Sequence, residues 1–330
     1  MDIDRFENIV AKYPKFRLKQ AKKHLYKELV SNWRGSTVLP KSIIDELEKD
    51  FPINIDAEII ISKQKDTIKV VVELFDGLNV ETVLMKHEDG RNTVCVSSQV
   101  GCALNCSFCA TGMMGFKRNL SSWEMIIQVL LFARLLKKKK ERVTNIVFMG
   151  MGEPFLNYDN VISVIRILND EEGFGLGARN FSISTAGVVE GIEKLSKEGL
   201  QVNLAISLHA PDNKTRSKLM PINRKYPIES LMEAVIQYTK KTNRQVMFEY
   251  MLLEGVNDSG VHAKELAEIM KDRLYVVNLI SYNPTGSFKQ SSVKRIEEFK
   301  EFLERKGVKV TRRHSFGADI ESACGQLAGN

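Results

Sequence analysis

The sequence predicts an α/β protein built on a mainly parallel sheet and preceded by a smaller α+β unit. Two observations predict this. From Cys95 onward, apolar strand-like runs alternate with helical ones, and strand–helix alternation implies parallel strands joined by right-handed crossovers. Before about residue 90 the pattern is different: two amphipathic helical stretches, then strand-like runs joined by a hairpin turn. A boundary there divides residues 1–90 from 91–330, which suits a chain of 330 residues as one large domain plus a small one.

Taken in order, Leu18, Ala21, Leu25 and Leu29 recur at helical spacing. A second helix follows Pro40 and carries Ile43, Ile44 and Leu47. The runs AEIIIS, TIKVVVELF and NVETVLM read as strands, and Asp76-Gly77 between the last two is a hairpin signal. In the second part, TNIVFMG, FSIST, QVNLAISLH, QVMFEYML, LYVVNLIS and VKVTRR are the strands. Helices are expected from Ser121, where Ser121 and Glu124 form a capping box, after Pro227, and over 292–305. Periodicity leaves open whether this sheet closes as a barrel, stays partly open or is doubly wound.

The composition is that of a globular chain, with 43% hydrophobic and 27% charged residues. No run approaches the roughly 18–20 apolar residues of a membrane span. The acidic opening MDIDRFENIV has no signal-peptide core. A cytoplasmic protein without a membrane partner is expected. The formal net charge of +7 favours a polyanionic partner without proving one.

The five cysteines carry more information. Cys95, Cys102, Cys106 and Cys109 cluster, and Cys324 stands almost at the C-terminus. In a cytosolic chain such clustering indicates metal or redox chemistry, not a disulfide framework. Cys102, Cys106 and Cys109 form C-x3-C-x2-C at a strand-to-helix loop, where α/β folds build their sites. A small zinc site fits this spacing if Cys95, Cys324 or a histidine completes it. An iron–sulfur cubane takes all three thiolates and leaves one iron open.

The C-x3-C-x2-C motif, with the aromatic Phe108 before its third cysteine, resembles the hallmark of the radical S-adenosylmethionine (SAM) superfamily. The flanking runs CVSSQVGC, FMGMGEP, ISTAGVV, ISLHAP, LMPIN, GVND, YNP and DIESACGQLAG follow in order. Together they resemble the RlmN/Cfr family of ribosomal RNA adenine methyltransferases from about Glu81 to the last residue. The resemblance implies a partial (βα)6 barrel holding a [4Fe–4S] cluster on Cys102, Cys106 and Cys109, with SAM on the open iron. It implies SAM contacts at Gly152, Glu153, Ser184, Ser207, Leu208, His209 and Asn283. It implies that Cys324 is the cysteine that is methylated, Cys95 its resolving partner, and Glu81 a proton acceptor.

The implied chemistry answers a difficulty. C2 of adenine is electrophilic and has no nucleophilic pair for ordinary methyl transfer. In the family scheme one SAM methylates the Cys324 thiolate. A second SAM, cleaved by an electron from the cluster, gives a 5′-deoxyadenosyl radical that takes a hydrogen from the S-methyl group. The methylene radical adds to the base and a proton is removed. Cys95 then attacks the Cys324 sulfur, releasing product and a Cys95–Cys324 disulfide by thiol-exchange logic. A flavodoxin- or ferredoxin-type reductant supplies electrons, and a monomer is expected.

Between Lys12 and Lys27 lie seven Lys or Arg residues and no acidic ones, interleaved with Tyr13, Phe16 and Tyr26. That mix suits phosphate contact and base stacking, and equally a solvated helix face with aromatics in the core. Lys137–Lys140 with Arg142 is a second basic run, placed where cations complement a helix C-terminus. Arg312, Arg313 and His314 precede the Cys324 segment and stand to meet RNA there. A base must leave its stack to enter such a pocket. The resemblance implies C2 methylation of adenine 2503 in 23S rRNA and adenine 37 in some tRNAs. Cfr-type C8 methylation is the alternative, and Pro154 in GMGEP favours C2. A small-molecule or peptide substrate, and a zinc-binding RNA adaptor, are the readings from other classes.

Overall fold

The computed structural model describes residues 3–272, 274–286 and 288–329; the first two residues of the acidic opening and Asn330 lie outside them. Three helices come first: α1 (Ile3–Ala11), α2 (Phe16–Lys23) and α3 (Lys41–Asp50). The expected helix through Leu29 is α2 continued by a wider turn over His24–Glu28, and Leu29 ends it in the left-handed conformation at φ 55°. The helix α1 was not legible, although Phe6, Ile9 and Val10 are buried. Phe6 stacks on Trp33 at 5.6 Å and meets Phe51, which packs on Trp123 of the larger part.

The strands β1 (Ala57–Ile61), β2 (Thr67–Glu73) and β3 (Asn79–Lys86) pair antiparallel. The Asp76-Gly77 turn lies between the last two, with Gly77 at φ 76°. β3 then pairs antiparallel with β4 (Asn92–Cys95), and β4 pairs parallel with β7 (Asn145–Phe148). The antiparallel strands are therefore continuous with the parallel ones in one ten-stranded sheet, because the edge of β3 satisfies the backbone of β4. Between β4 and β7 come β5 (Gln99–Gly101), α4 (Ala110–Met113), β6 (Phe116–Asn119) and α5 (Ser122–Lys137). The expected capping box of Ser121 and Glu124 starts α5.

The rest is regular alternation: α6 (Tyr158–Asn169), β8 (Phe181–Thr185), α7 (Val189–Leu195), β9 (Asn203–Ser207), α8 (Asn213–Leu219), α9 (Ile228–Thr242), β10 (Val246–Leu252), α10 (Gly260–Ile269), β11 (Tyr275–Ser281), α11 (Val293–Arg305) and β12 (Lys309–Arg313). From β4 to β12 each parallel strand lies beside its predecessor in the chain. Six βα units and a last strand thus make the partial (βα)6 barrel, the sheet remaining open at β1 and β12.

Side-chain alternation gives this sheet two unlike faces. Along β10, Val246, Phe248, Tyr250 and Leu252 are fully buried toward the helices. The intervening Glu249 faces inward, where Asn278 of β11 donates to it at 2.9 Å and Thr311 of β12 donates to Asn278 at 3.0 Å. Polar side chains on the inner face of a parallel sheet mark the site, since burial there is tolerated only with partners.

Candidate active site

The cysteine loop follows β4 and is shaped by a small antiparallel pair, β5 with β6. Gly101, at φ 72°, lies so close to Gly115 that a Cβ would sit 1.8 Å from the Gly115 carbonyl. The Cys102 N–H donates to that carbonyl at 3.1 Å, and the Cys109 N–H donates to Cys106 O at 3.1 Å. The loop is anchored across the fold as well. Ser107 N–H donates to Leu219 O at 3.0 Å, and Thr285 Oγ1 to Phe108 O at 3.1 Å.

Cys102, Cys106 and Cys109 all line a cavity of about 150 Å³ at the carboxyl ends of the strands. Gly152, Glu153, Ser184, Ser207, His209 and Cys324 line it too. A second cavity of about 90 Å³ adjoins it, lined by Cys95, Asn283 and Leu327 and sharing Cys109, Arg313 and Cys324 with the first. Of the catalytic and SAM-contact residues that the resemblance implies, Leu208 and Glu81 line neither cavity. Leu208 is fully buried, and its N–H donates to Glu249 O at 3.0 Å.

Glu153 is buried, and burial pushes its carboxyl up to about 7. Its oxygens accept from the backbone N–H groups of Phe155 at 3.0 Å and Ala186 at 2.7 Å. It thereby ties the loop after β7 to the loop after β8. Gly152 sits at φ 97°, with room for no Cβ, which would lie 2.5 Å from Gln99. His209 is also left-handed, at φ 55°. Its Nδ1 accepts from the Met251 N–H at 3.0 Å, and Phe108 meets its ring edge-on at 5.0 Å. Burial and then Arg216 lower its pKa to about 3, so the ring is neutral with its proton on Nε2.

Two bracing residues were not legible as such. Arg216 is fully buried and donates to Leu208 O at 3.1 Å, Ala186 O at 2.7 Å, Ser207 O at 3.2 Å and Asn223 Oδ1 at 2.8 Å. Asn257, in the GVND run, donates to His209 O and Met251 O, both at 2.7 Å. A planar fork and a side-chain amide satisfy carbonyls that leave the strands with no ladder partner.

Cys324 comes from the far end of the chain. Ala110 N–H donates to Gly325 O at 2.8 Å, Thr111 Oγ1 to Leu327 O at 2.6 Å, and Asn283 Nδ2 to Cys324 O at 3.3 Å. Cys95 is buried, and burial pushes its thiol up to about 12 while Arg313 pulls it down. The Arg313 guanidinium is itself held charged, first by Cys324, then Glu249 and Cys95. Glu81 is buried, with Lys69 donating at 3.1 Å and the Ala328 N–H at 2.8 Å. All five cysteines are free thiols.

The donor set fits an iron–sulfur cluster and SAM. Burial raises the pKa of all three loop thiols, Cys102 to about 12, so they become thiolates only when a cation is bound. Among the described residues no three His, Cys, Asp or Glu side chains converge as a single metal ion needs; thiols spread around a cavity suit a cubane, in which each binds a different iron. Glu249 Oε1 is a buried acceptor without a partner on the wall of the same cavity, as a ligand bearing hydrogen-bond donors requires.

Known proteins agree with this geometry. The model of the radical SAM superfamily matches residues 96–267. The chain is 45% identical over 330 residues to a "Probable dual-specificity RNA methyltransferase RlmN" of Dictyoglomus thermophilum, covering 99% of this chain and 94% of that protein. It is 46% identical over 325 residues to a "Ribosomal RNA large subunit methyltransferase N" of Nitrosopumilus maritimus, covering 96% and 93%. The crystal structure of a radical SAM methyltransferase from Sphaerobacter thermophilus superposes with a TM-score of 0.96 at 44% identity, over 100% of this chain and 98% of that one. No helix among the described residues is long and apolar enough to cross a membrane. The cluster motif, the cavity behind it and these full-length similarities agree: the chain belongs to the radical SAM superfamily, within it to the RlmN family of RNA methyltransferases, and its cofactors are a [4Fe–4S] cluster and SAM.

Proposed function

We propose that this chain methylates C2 of adenine in RNA, at position 2503 of 23S rRNA and position 37 of some tRNAs. The observation that carries this reading is the placement of Cys95 and Cys324 on the wall of one cavity, beside the loop cysteine Cys109. Two thiols outside the cluster motif, brought together from β4 and the chain's end, are what a methyl-cysteine route needs.

Cys102, Cys106 and Cys109 hold the cluster. Gly152, Glu153, Ser184, Asn283 and the run Ser207, Leu208 and His209 shape the SAM site, Glu153 and Leu208 through the loops they brace. When bound, cluster and SAM supply a methyl group and a hydrogen-abstracting radical. Cys324 accepts the methyl group on sulfur and carries the carbon to the base. Cys95 then bonds to the Cys324 sulfur as the sulfur–carbon bond breaks, leaving a Cys95–Cys324 disulfide that a reductant reopens with two electrons and two protons; a flavodoxin- or ferredoxin-type donor supplies electrons to the enzyme. Arg313 shares the cavity with both sulfurs and opposes the effect of burial on the Cys95 thiol. Glu81 is the proton acceptor of this scheme. Its carboxylate accepts from Lys69 and from the Ala328 N–H.

Residues 1–90 serve as an RNA-binding accessory unit to the catalytic part, 91–330, in a cytoplasmic monomer. Pro154 supports C2 over C8, because GMGEP resembles the RlmN version of this run and Cfr resembles GMGEA at that place.

Mass spectrometry of digested RNA tests the reading. The protein is reconstituted anaerobically with iron and sulfide, then given SAM, reductant and an unmodified 23S rRNA fragment. The expected product is 2-methyladenosine. Detection of 8-methyladenosine would move the chain to the Cfr-type reaction. If 5′-deoxyadenosine forms without any methylated adenosine, the RNA substrate is wrong.

A further inference from the structure

The two basic runs of the sequence meet in space, away from the cysteine cavities. Lys27, from the turn after α2, and Lys137 and Arg142, from the end of α5 and the segment after it, line one open groove of about 660 Å³. Arg91 joins them from the turn before β4. Gly175, at φ 76°, brings its backbone beneath Lys27: a Cβ there would lie 3.1 Å from the ammonium.

Four cations thus face one carboxylate in the lining, Glu141, and that carboxylate is already held by Lys86 at 2.8 Å. Arg91 pairs with Asp89 at 2.8 Å, but both are more than half exposed, and such a pair is weak enough to exchange for phosphate. Lys137 donates to the backbone carbonyl of Glu28 at 2.6 Å, a neutral acceptor. Lys27 and Arg142 are exposed, and no carboxylate among the described residues pairs with either. A helix C-terminus accounts for Lys137 alone; it does not explain why cations from three other segments converge on it.

The groove lies at the amino ends of the strands. Arg91, Thr144 and Asn180 directly precede β4, β7 and β8, whereas the cysteine cavities lie beyond the carboxyl ends of the same strands. A four-residue strand is about 13 Å long, so both sites lie within the breadth of one folded RNA.

We infer that this groove, built by Lys27, Arg91, Lys137 and Arg142, is a second RNA site that holds the phosphodiester backbone of the substrate away from the methylated base. The inference rests on the RNA reading proposed above. Open, exposed cations with few base-sized walls suit backbone contact, which positions a nucleic acid without reading its sequence.

The test measures binding of the unmodified 23S rRNA fragment to cluster-reconstituted protein across about 50–200 mM salt. Each phosphate contact contributes about 0.7–0.9 to the slope of log affinity against log salt. Lys27→Gln with Arg142→Gln is expected to reduce that slope by about 1.5 and to weaken binding about tenfold. The modified position and SAM cleavage without RNA stay unchanged. Lys264→Gln with Lys294→Gln, an equal loss of charge on exposed faces of α10 and α11, is expected to leave the slope as it was. An unchanged slope in the first variant, or an equal fall in the second, overturns the inference while the proposed function stands. Occupation of the groove by inorganic pyrophosphate without competition against RNA also overturns it. If the unaltered protein cleaves SAM yet binds no RNA, the proposed function itself fails and takes the groove with it.

Discussion

The backbone N–H of Ala328 donates to the Glu81 carboxylate at 2.8 Å. The last described residues are thereby tied to β3, whose Glu81 also holds Lys69 at 3.1 Å. With side chains 2% and 9% exposed, the pair is buried, and removing one partner of a buried pair strands the other charge. Glu81→Ala is expected to cost roughly 3–5 kcal/mol and to loosen the segment that carries Cys324. Denaturant unfolding checks this; a loss below about 1 kcal/mol, the range of exposed pairs, would contradict the account.

Cys324 lies outside the cluster motif, so Cys324→Ala is expected to abolish methyl transfer while iron and sulfide content stay normal. Retained activity in that variant would sink the methyl-cysteine step. Cys95→Ala is expected to stop one step later and trap a protein–RNA adduct visible on a denaturing gel.

Arg313 is the cation that opposes the effect of burial on Cys95, whose thiol stands at about 12. Removing the charge raises the thiol further, so less thiolate is present at any given pH. In Arg313→Gln, release of product from the adduct is expected to slow by tenfold or more near neutrality, with its rise displaced to higher pH. Cys324 and Glu249 also face this guanidinium, so the profile is read in parallel with Glu249→Gln, which removes the competing carboxylate. An unaltered profile in Arg313→Gln would show that the arginine serves only packing.

Glu153 bears on stability in the opposite sense from a salt-bridged acid. Burial raises its carboxyl from 4.5 to about 7, so between these values the folded state holds more protons than the unfolded one. Stability contributed by this group is therefore full below about 4.5 and is lost as pH rises toward 7. In apoprotein, Glu153→Gln is expected to gain roughly 2–3 kcal/mol relative to the unaltered chain between pH 5 and 7.5. Parallel unfolding curves at the two pH values measure it, and a constant difference would refute the assignment.

Gly101 has neither room for a Cβ nor a φ that other residues readily adopt. Gly101→Ala is expected to cost at least about 1–3 kcal/mol in backbone strain and to displace Cys102 through its bond to Gly115. Iron content after reconstitution should fall well below that of the unaltered protein; full loading would mean that the hairpin does not set the loop.

The sequence by itself determined what depends on neighbours in the chain. Apolar strand-like runs became β8, β10 and β11, Ser121 and Glu124 became a capping box, Asp76-Gly77 became a turn, and C-x3-C-x2-C placed three thiols in one loop. These rest on local backbone geometry and hydrogen bonding, which a few adjacent residues specify. Only the tertiary structure decided what depends on meetings between distant segments. It joined the antiparallel strands to the barrel through the open edge of β3, put Cys324 beside Cys95, held Glu81 with Lys69 and Ala328, and gathered Lys27 and Lys137 at one groove. No periodicity encodes such meetings, because each is set by sheet register and by the need to satisfy buried polar groups once the layers have packed.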